Sequence, residues 1–342
     1  MVLSRSVSAS ATVLGQQDVL DPHGKGAADA AWLLWVLIAI AAFVVVVVSG
    51  LVIASAVRSG RARRHEAEPL TADDSDAGTF SPGTVDAHPN ERSGLRLVVG
   101  AGLVFPVVVL AAVFGISIGP LRNATHHSPK SLRIDVVAHR WWWDVEYPDE
   151  GIRIANELHV PKDRDVLVRL MSDDVIHSFW VPQLAGKIDT VPGKTNNVTL
   201  HATRSGTYVG KCAEFCGLQH ARMRFQVVVH EPDDYDAWVA RMTAPPKEPT
   251  GEALAGRQIF LGSSCVYCHA VEGTNATSHF GPDLTHIASR KTLAAGMVAN
   301  TPGALAGWIL DPQSVKPGNL MPPMDIPGDQ LQKLLAYLET LE

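Results

Sequence analysis

Two stretches of the 342-residue sequence gather side chains able to hold metals or cofactors. The first is Cys265-Val266-Tyr267-Cys268-His269, a C-x-x-C-H motif. Two thiols at this spacing can form thioethers with the vinyl groups of a haem. The adjacent imidazole then reaches the iron as proximal ligand, which is the chemistry of c-type haem attachment. A redox dithiol or half of a zinc site would use the same cysteines. A zinc site needs a further pair of ligands, and only His279 and His286 follow, with no cysteine after Cys268. The sixth iron ligand calls for a thioether or a second imidazole. Lys316-Pro317-Gly318-Asn319-Leu320-Met321-Pro322-Pro323-Met324 supplies two methionines on a proline-stiffened loop. Met321 takes the axial role, with Met324 as the alternative, and Met297 reads as core packing.

The second stretch holds Cys212, Glu214, Cys216, His220 and Met223 within 12 residues, with His177 upstream. Two thiolates, two imidazoles, a thioether and a main-chain carbonyl form a set that prefers copper. Cysteines four apart on a loop can point both sulfurs inward and bridge two ions. A Cys212–Cys216 disulfide is the plain alternative, but it leaves the surrounding His, Glu and Met without a purpose. A mononuclear blue-copper site would leave one cysteine idle.

Elements must position these groups. Residues 30–57 carry no charge, and neither do residues 97–121; each run is long enough to cross a bilayer. The spacing predicts two transmembrane helices, the second kinked at Pro106. The first run is too long and starts too late for a cleaved signal segment, so it is expected to be retained. Residues 58–96 hold Arg58, Arg61, Arg63, Arg64, Arg92 and Arg96, against Arg5 and Lys25 in residues 1–29. The positive-inside rule makes 58–96 a cytoplasmic loop and places 1–29 and everything after Arg122 outside. Between Glu66 and Asn90 the loop is polar, acidic and expected to be flexible. Residues 122–242 read as an all-β domain, with strands at Ile134–Val137, Asp165–Met171, Asn197–His201 and Arg224–His230. Residues 243–251 are a proline-rich linker. Residues 252–342 read as all-α, with helices at Ala253–Phe260, Ala304–Asp311 and Gln330–Leu341. A domain of this size gains from a covalent cofactor that completes its core.

With both motifs in place, the chain resembles cytochrome c oxidase subunit II, through two N-terminal spans and the pattern His177…Cys212-x-Glu214-x-Cys216-x-x-x-His220-x-x-Met223. Residues 252–342 resemble class I cytochrome c, on Gly281-Pro282-Asp283-Leu284, the Met321-Pro322-Pro323 loop, Trp308 and the final helix. Together they are similar to the caa-type, in which a cytochrome c is fused to the subunit. The resemblance implies a cupredoxin-like β domain and a binuclear copper centre held by His177, Cys212, Cys216, His220, Met223 and the main-chain carbonyl of Glu214. The Glu214 carboxylate would take a magnesium ion at the contact with subunit I. Pro282 would lie against the haem near His269. Trp141, first of the run Trp141-Trp142-Trp143, would be where electrons reach the copper. Three tryptophans in a row cannot all face inward on one strand. The implied partners are subunit I, with haem a and copper, subunit III, and an external donor such as a cytochrome c or a quinol–cytochrome c reductase. The implied setting is a bacterial plasma membrane, crossed twice, with both metal domains on the periplasmic side. Oxygen would be reduced to water in subunit I, coupled to proton translocation. One departure is visible: Glu91 is out of register with the glutamate that the family often carries near the start of its second span.

Composition narrows the alternatives. A net charge of -6 excludes a general nucleic-acid binder. Four cysteines are too few for a disulfide scaffold. Nitrous oxide reductase would need a large multi-histidine domain, a quinol oxidase subunit lacks the copper ligands, and a copper-delivery protein has no use for a haem.

Overall fold

The computed structural model describes residues 18–66, 96, 99–125 and 130–342. Glu91 and the acidic part of the 58–96 loop lie outside the described residues. The chain divides into two compact units, one made of Trp32–Leu121 and the other of the remainder.

The first unit is helical. Helix α1 (Lys25–Glu66) and helix α2 (Phe105–Thr125) are both long and apolar enough to cross a membrane. Their apolar windows are wholly unburied, and Phe43, Leu51, Val107 and Phe114 stand exposed. The irregularity expected at Pro106 takes the form of a π-helical turn, Gly100–Val104, immediately before α2. Pro106 has no N–H to return to that turn.

In the second unit, ten strands build two five-stranded sheets. Their ranges are β1 Leu132–His139, β2 Trp142–Tyr147, β3 Ile152–Ala155, β4 Glu157–Pro161, β5 Val166–Ser172, β6 His177–Trp180, β7 Ile188–Thr190, β8 Asn196–Leu200, β9 Gly206–Cys212 and β10 Arg224–His230. The sheet orders are β3-β2-β1-β5-β8 and β4-β10-β9-β6-β7. Pairs β1/β5 and β4/β10 are parallel and the rest antiparallel. Along β1 every second residue is buried, so Ile134 and Val136 enter the core between the sheets. There Trp143 meets Phe179 edge-on at 5.8 Å and Phe225 at 5.2 Å. Phe225 lies directly opposite Gly210 in the β9/β10 register. A Cβ at Gly210 would stand 2.1 Å from the Phe225 ring, so only glycine leaves room for it. Helix α3 (Pro232–Met242) closes one end by burying Tyr235, Trp238 and Met242.

From Thr243 the chain runs without regular structure to helix α4 (Gly251–Gly262). Then follow the short ribbon β11/β12 (Thr292–Leu293 and Val298–Ala299), α5 (Pro302–Leu310), α6 (Pro312–Val315) and α7 (Gly328–Leu338). In α7, Leu331, Leu334, Leu335 and Leu338 recur at helical spacing and are all buried. Helix α4 packs on α7 so closely that a Cβ at Gly256 would come within 1.9 Å of the Lys333 carbonyl oxygen. Phe260 of α4 and Tyr337 of α7 complete this seam at a ring separation of 5.8 Å.

Of the sequence-based boundaries, β10 coincides with its expected strand. Helix α7 stops at Leu338, three residues short of the expected end, and α5 stops one residue short. Eight strands were not anticipated: six in the β domain, and the two of the β11/β12 ribbon in the part expected to be all-α.

Candidate metal centres

Strand β6 starts at His177 and strand β9 ends at Cys212, while Cys216 and His220 sit on the turn between β9 and β10, and Met223 immediately precedes β10. Adjacent strands thus bring residues 35 positions apart to one end of one sheet. Cys212 Sγ lies 3.8 Å from Cys216 Sγ and 3.9 Å from His177 Nδ1. Cys216 Sγ lies 3.7 Å from His220 Nδ1 and 3.9 Å from Met223 Sδ. The Glu214 carbonyl oxygen is 3.2 Å from Cys212 Sγ, and the Glu214 side chain is exposed. All six residues of the second motif therefore converge. The sulfurs are far beyond the roughly 2.05 Å of a disulfide. His177, Cys212, Cys216 and Met223 are buried.

The donor set asks for positive charge. Cys216 beside it pulls the Cys212 thiol down to about 3. Cys212 in turn, together with burial, pushes Cys216 up. Two buried thiols this close cannot both ionise without a cation to balance them. Soft sulfur with imidazole fits copper, so the residues fit the metal pair. His177 is oriented by Asp174, whose Oδ1 accepts from Nε2 at 2.8 Å. Burial raises the Asp174 carboxyl, but hydrogen bonds from His177, Val175 N–H and Arg140 N–H outweigh it and bring it down to about 2. The sequence reading missed Asp174; its i, i+3 spacing to His177 was the available clue.

Trp141 lies in the turn before β2, and Trp142 and Trp143 open that strand: Trp141 and Trp143 are buried and Trp142 is half-buried. Trp141 donates its indole N–H to the Cys216 carbonyl at 2.9 Å. Gly217, at φ +111°, presses on the same ring, where a Cβ would lie 3.1 Å away.

A second site lies between α4, α7 and the 316–324 loop, around a cavity of about 300 Å³. Cys265, Cys268, His269, Pro282, Met321 and Met324 line it. His269 donates Nδ1–H to the Pro282 carbonyl at 2.7 Å, so Nε2 carries the lone pair. Burial pushes the His269 imidazole down, toward its neutral, ligating form. A Cβ at Gly281 would come 2.8 Å from His269 Cε1, so glycine lets the backbone pass under the ring. Met324 Sδ accepts from Ser264 Oγ at 3.6 Å, whereas Gln313 holds the Met321 carbonyl at 3.3 Å and leaves its side chain to the cavity. Arg290, also lining the cavity, is buried, and its Nε has no hydrogen-bond partner among the described residues. A flat apolar group with acidic substituents would satisfy that nitrogen, so haem fits.

The two sites meet at a shared boundary. Trp141 and Trp142 line the haem cavity from the β side. Lys291 N–H donates to the Glu157 carboxylate at 2.8 Å, and Arg224 N–H to the Ala295 carbonyl at 3.2 Å. Gln219 donates to the Pro317 carbonyl. Lys316 Nζ donates to the Trp141 carbonyl at 2.7 Å, and burial pushes its ammonium down to about 7.

Two family models match the chain, one over each of the regions that carry these residues. The family model "Cytochrome C oxidase subunit II, periplasmic domain" matches residues 150–230, and "Cytochrome c" matches residues 253–342. Cytochrome c oxidase subunit 2 of Alkalihalophilus pseudofirmus is 45% identical over 215 residues, 62% of each chain. That of Bacillus sp. strain PS3 is 34% identical over 253 residues, 70% of each chain. The match thus spans less than two thirds of the Alkalihalophilus protein. A crystal structure of the periplasmic domain of cytochrome oxidase subunit II from Bradyrhizobium japonicum is 30% identical, with a TM-score of 0.33, covering 34% of this chain and 96% of that one.

Proposed function

The chain belongs to the cytochrome c oxidase subunit II family, and on that premise we propose that it is the subunit through which electrons enter a haem–copper oxidase. When bound, haem c and the copper pair supply one-electron carriage from an external donor toward haem a of subunit I, where oxygen becomes water with coupled proton translocation. Cys265 and Cys268 would hold the haem covalently, with His269 and Met321 on its iron. His177, Cys212, Cys216, His220, Met223 and the Glu214 carbonyl would hold the two coppers. The Glu214 carboxylate, which is exposed, would take magnesium where subunit I docks.

The observation that carries this reading is the convergence of all six donors around a sulfur pair 3.8 Å apart. Each side chain has a physical task. Asp174 fixes the ring of His177, Pro282 fixes that of His269, and the sheets exclude water from both sulfurs. A site clamped on strand ends changes little in shape when its charge changes. Trp141 touches both sites and would pass electrons toward the copper. The basic residues of 58–96 support two membrane crossings in a bacterial plasma membrane, with both metal domains outside. Subunit III and a cytochrome or quinol–cytochrome c reductase complete the expected assembly.

The test is isolation in mild detergent with metal and haem counting. Two coppers and one covalent haem c per chain, together with a large polytopic haem-copper subunit, are expected. Cys216→Ser should abolish the mixed-valence paramagnetic signal of the copper pair. Zinc, or no transition metal, in correctly assembled material would refute the proposal.

A further inference from the structure

Lys316 is an expensive residue to bury. Lysines are almost never fully buried unless paired, yet this one is only 3% exposed. Among the described residues no carboxylate pairs with it. Its ammonium donates instead to the main-chain carbonyl of Trp141 at 2.7 Å and reaches that of Ala294 at 3.5 Å. Lys316 opens the loop that carries Met321 and lines the same cavity as His269. The turn bearing the copper-site residues grips this loop from the other side. Gln219 donates to the Pro317 carbonyl, and Arg222 to that of Val315 at 3.4 Å. The far end of Trp141 is tied to the Cys216 carbonyl at 2.9 Å. An unbroken string of contacts thus runs from the methionine loop through Lys316 and Trp141 to a copper-site cysteine.

We propose that Lys316 is a positioning residue for transfer between the two centres: its ammonium, seated on the Trp141 carbonyl, fixes the cytochrome c domain with its methionine loop against that tryptophan. This rests on the reading that electrons pass from haem to copper. Lys316 itself carries no electron. It holds the two scaffolds in one arrangement, so that transfer does not wait for a tethered domain to find its partner.

The experiment uses the full, metal-loaded chain with Lys316→Met, which keeps the stem and removes the ammonium, and Lys316→Gln, which keeps a neutral N–H donor. Amide hydrogen exchange is read at Arg224 and Lys291, whose N–H groups bond across the boundary to the Ala295 carbonyl and the Glu157 carboxylate, neither of which Lys316 itself holds. Haem-to-copper transfer is followed after flash reduction of the haem. In Lys316→Met, both amides should exchange roughly tenfold faster, as expected on losing a hydrogen bond to a charged group. Transfer should slow by roughly the same factor and become dependent on solvent viscosity, with haem and copper spectra unchanged. Lys316→Gln should fall between. If Lys316→Met loses haem or copper, Lys316→Gln decides by the same measurements. Unchanged exchange and unchanged transfer in both variants would overturn the role assigned to Lys316 and leave the functional reading intact. Absence of any haem-to-copper transfer in the unaltered chain would instead refute the functional reading, while the exchange rates would still judge whether Lys316 seats the domain.

Discussion

Gly256→Ala adds one methyl group where α4 presses against α7. Its Cβ would stand 1.9 Å from the Lys333 carbonyl oxygen and 2.8 Å from Tyr337 Cβ, where ordinary contact begins at 3.4 Å. Neither neighbour can turn aside, because one is backbone and the other is the first atom of a buried side chain. Helices α4 and α7 must therefore part by about 1.5 Å. A gap of about 0.5–1 Å already forfeits a quarter to a half of the attraction between facing atoms. The seam that loses it contains Phe260, Leu334, Tyr337 and Leu338. Overpacking of this kind costs about 1–3 kcal/mol, and the loss along the seam puts this site at the upper end. In a domain of about 90 residues, about 3 kcal/mol lowers the unfolding midpoint by roughly 10–20 °C. The assay is thermal unfolding of the complete chain, followed by haem absorbance and by helical circular dichroism. Because Cys265 follows three residues after α4 ends, a smaller fraction of chains should also carry covalent haem. A midpoint within about 3 °C of the unaltered protein would show that the helices yield freely, and would refute the packing argument.

Two further outcomes follow from the metal sites. Asp174→Asn should weaken copper binding about 10- to 100-fold, as is usual when the partner of a ligating imidazole is lost; competition against a chelator measures it, and equal affinity would count against Asp174. The Asp174 carboxyl is lowered from 3.8 to about 2 on folding. Its stabilising contribution is therefore fully present above about pH 4 and lost as pH falls through 2, an acid limb that the asparagine variant should lack. Trp141→Phe removes the N–H that caps the Cys216 carbonyl, a loss of about 1–3 kcal/mol in urea unfolding. It should also slow stopped-flow reduction of copper at unchanged metal content, and an unaltered rate would take Trp141 out of the path.

Much of both sites was legible because their residues announce themselves by type and spacing. Cys265-x-x-Cys268-His269 and Cys212 to Met223 are local in the chain, and only His177 and Met321 had to be carried in from elsewhere. Strand β10 was legible because its run of valines is unbroken. The short strands β6 and β7 were not, since His177, Ser178 and Asp189 carry no β preference, and it is the pairing of β6 with β9 and of β7 with β6 that creates them. Asp174 and Lys316 were missed for a related reason. Each looks like an ordinary loop charge until tertiary contact gives it a partner: His177 in one case, the Trp141 carbonyl in the other. A carbonyl is present at every residue and leaves no mark in a sequence.

The bare backbone at Gly210 has a consequence for inheritance. The ring of Phe225 occupies the space where any other residue would place its first carbon, so the two positions are free to drift only together. Slipping β9 by one residue would drive Val209 or Lys211 into that ring and would turn Cys212 away from the core. One hydrogen atom, two residues before the cysteine, thereby acts as a ratchet pawl that keeps the Cys212 sulfur in phase with its sheet.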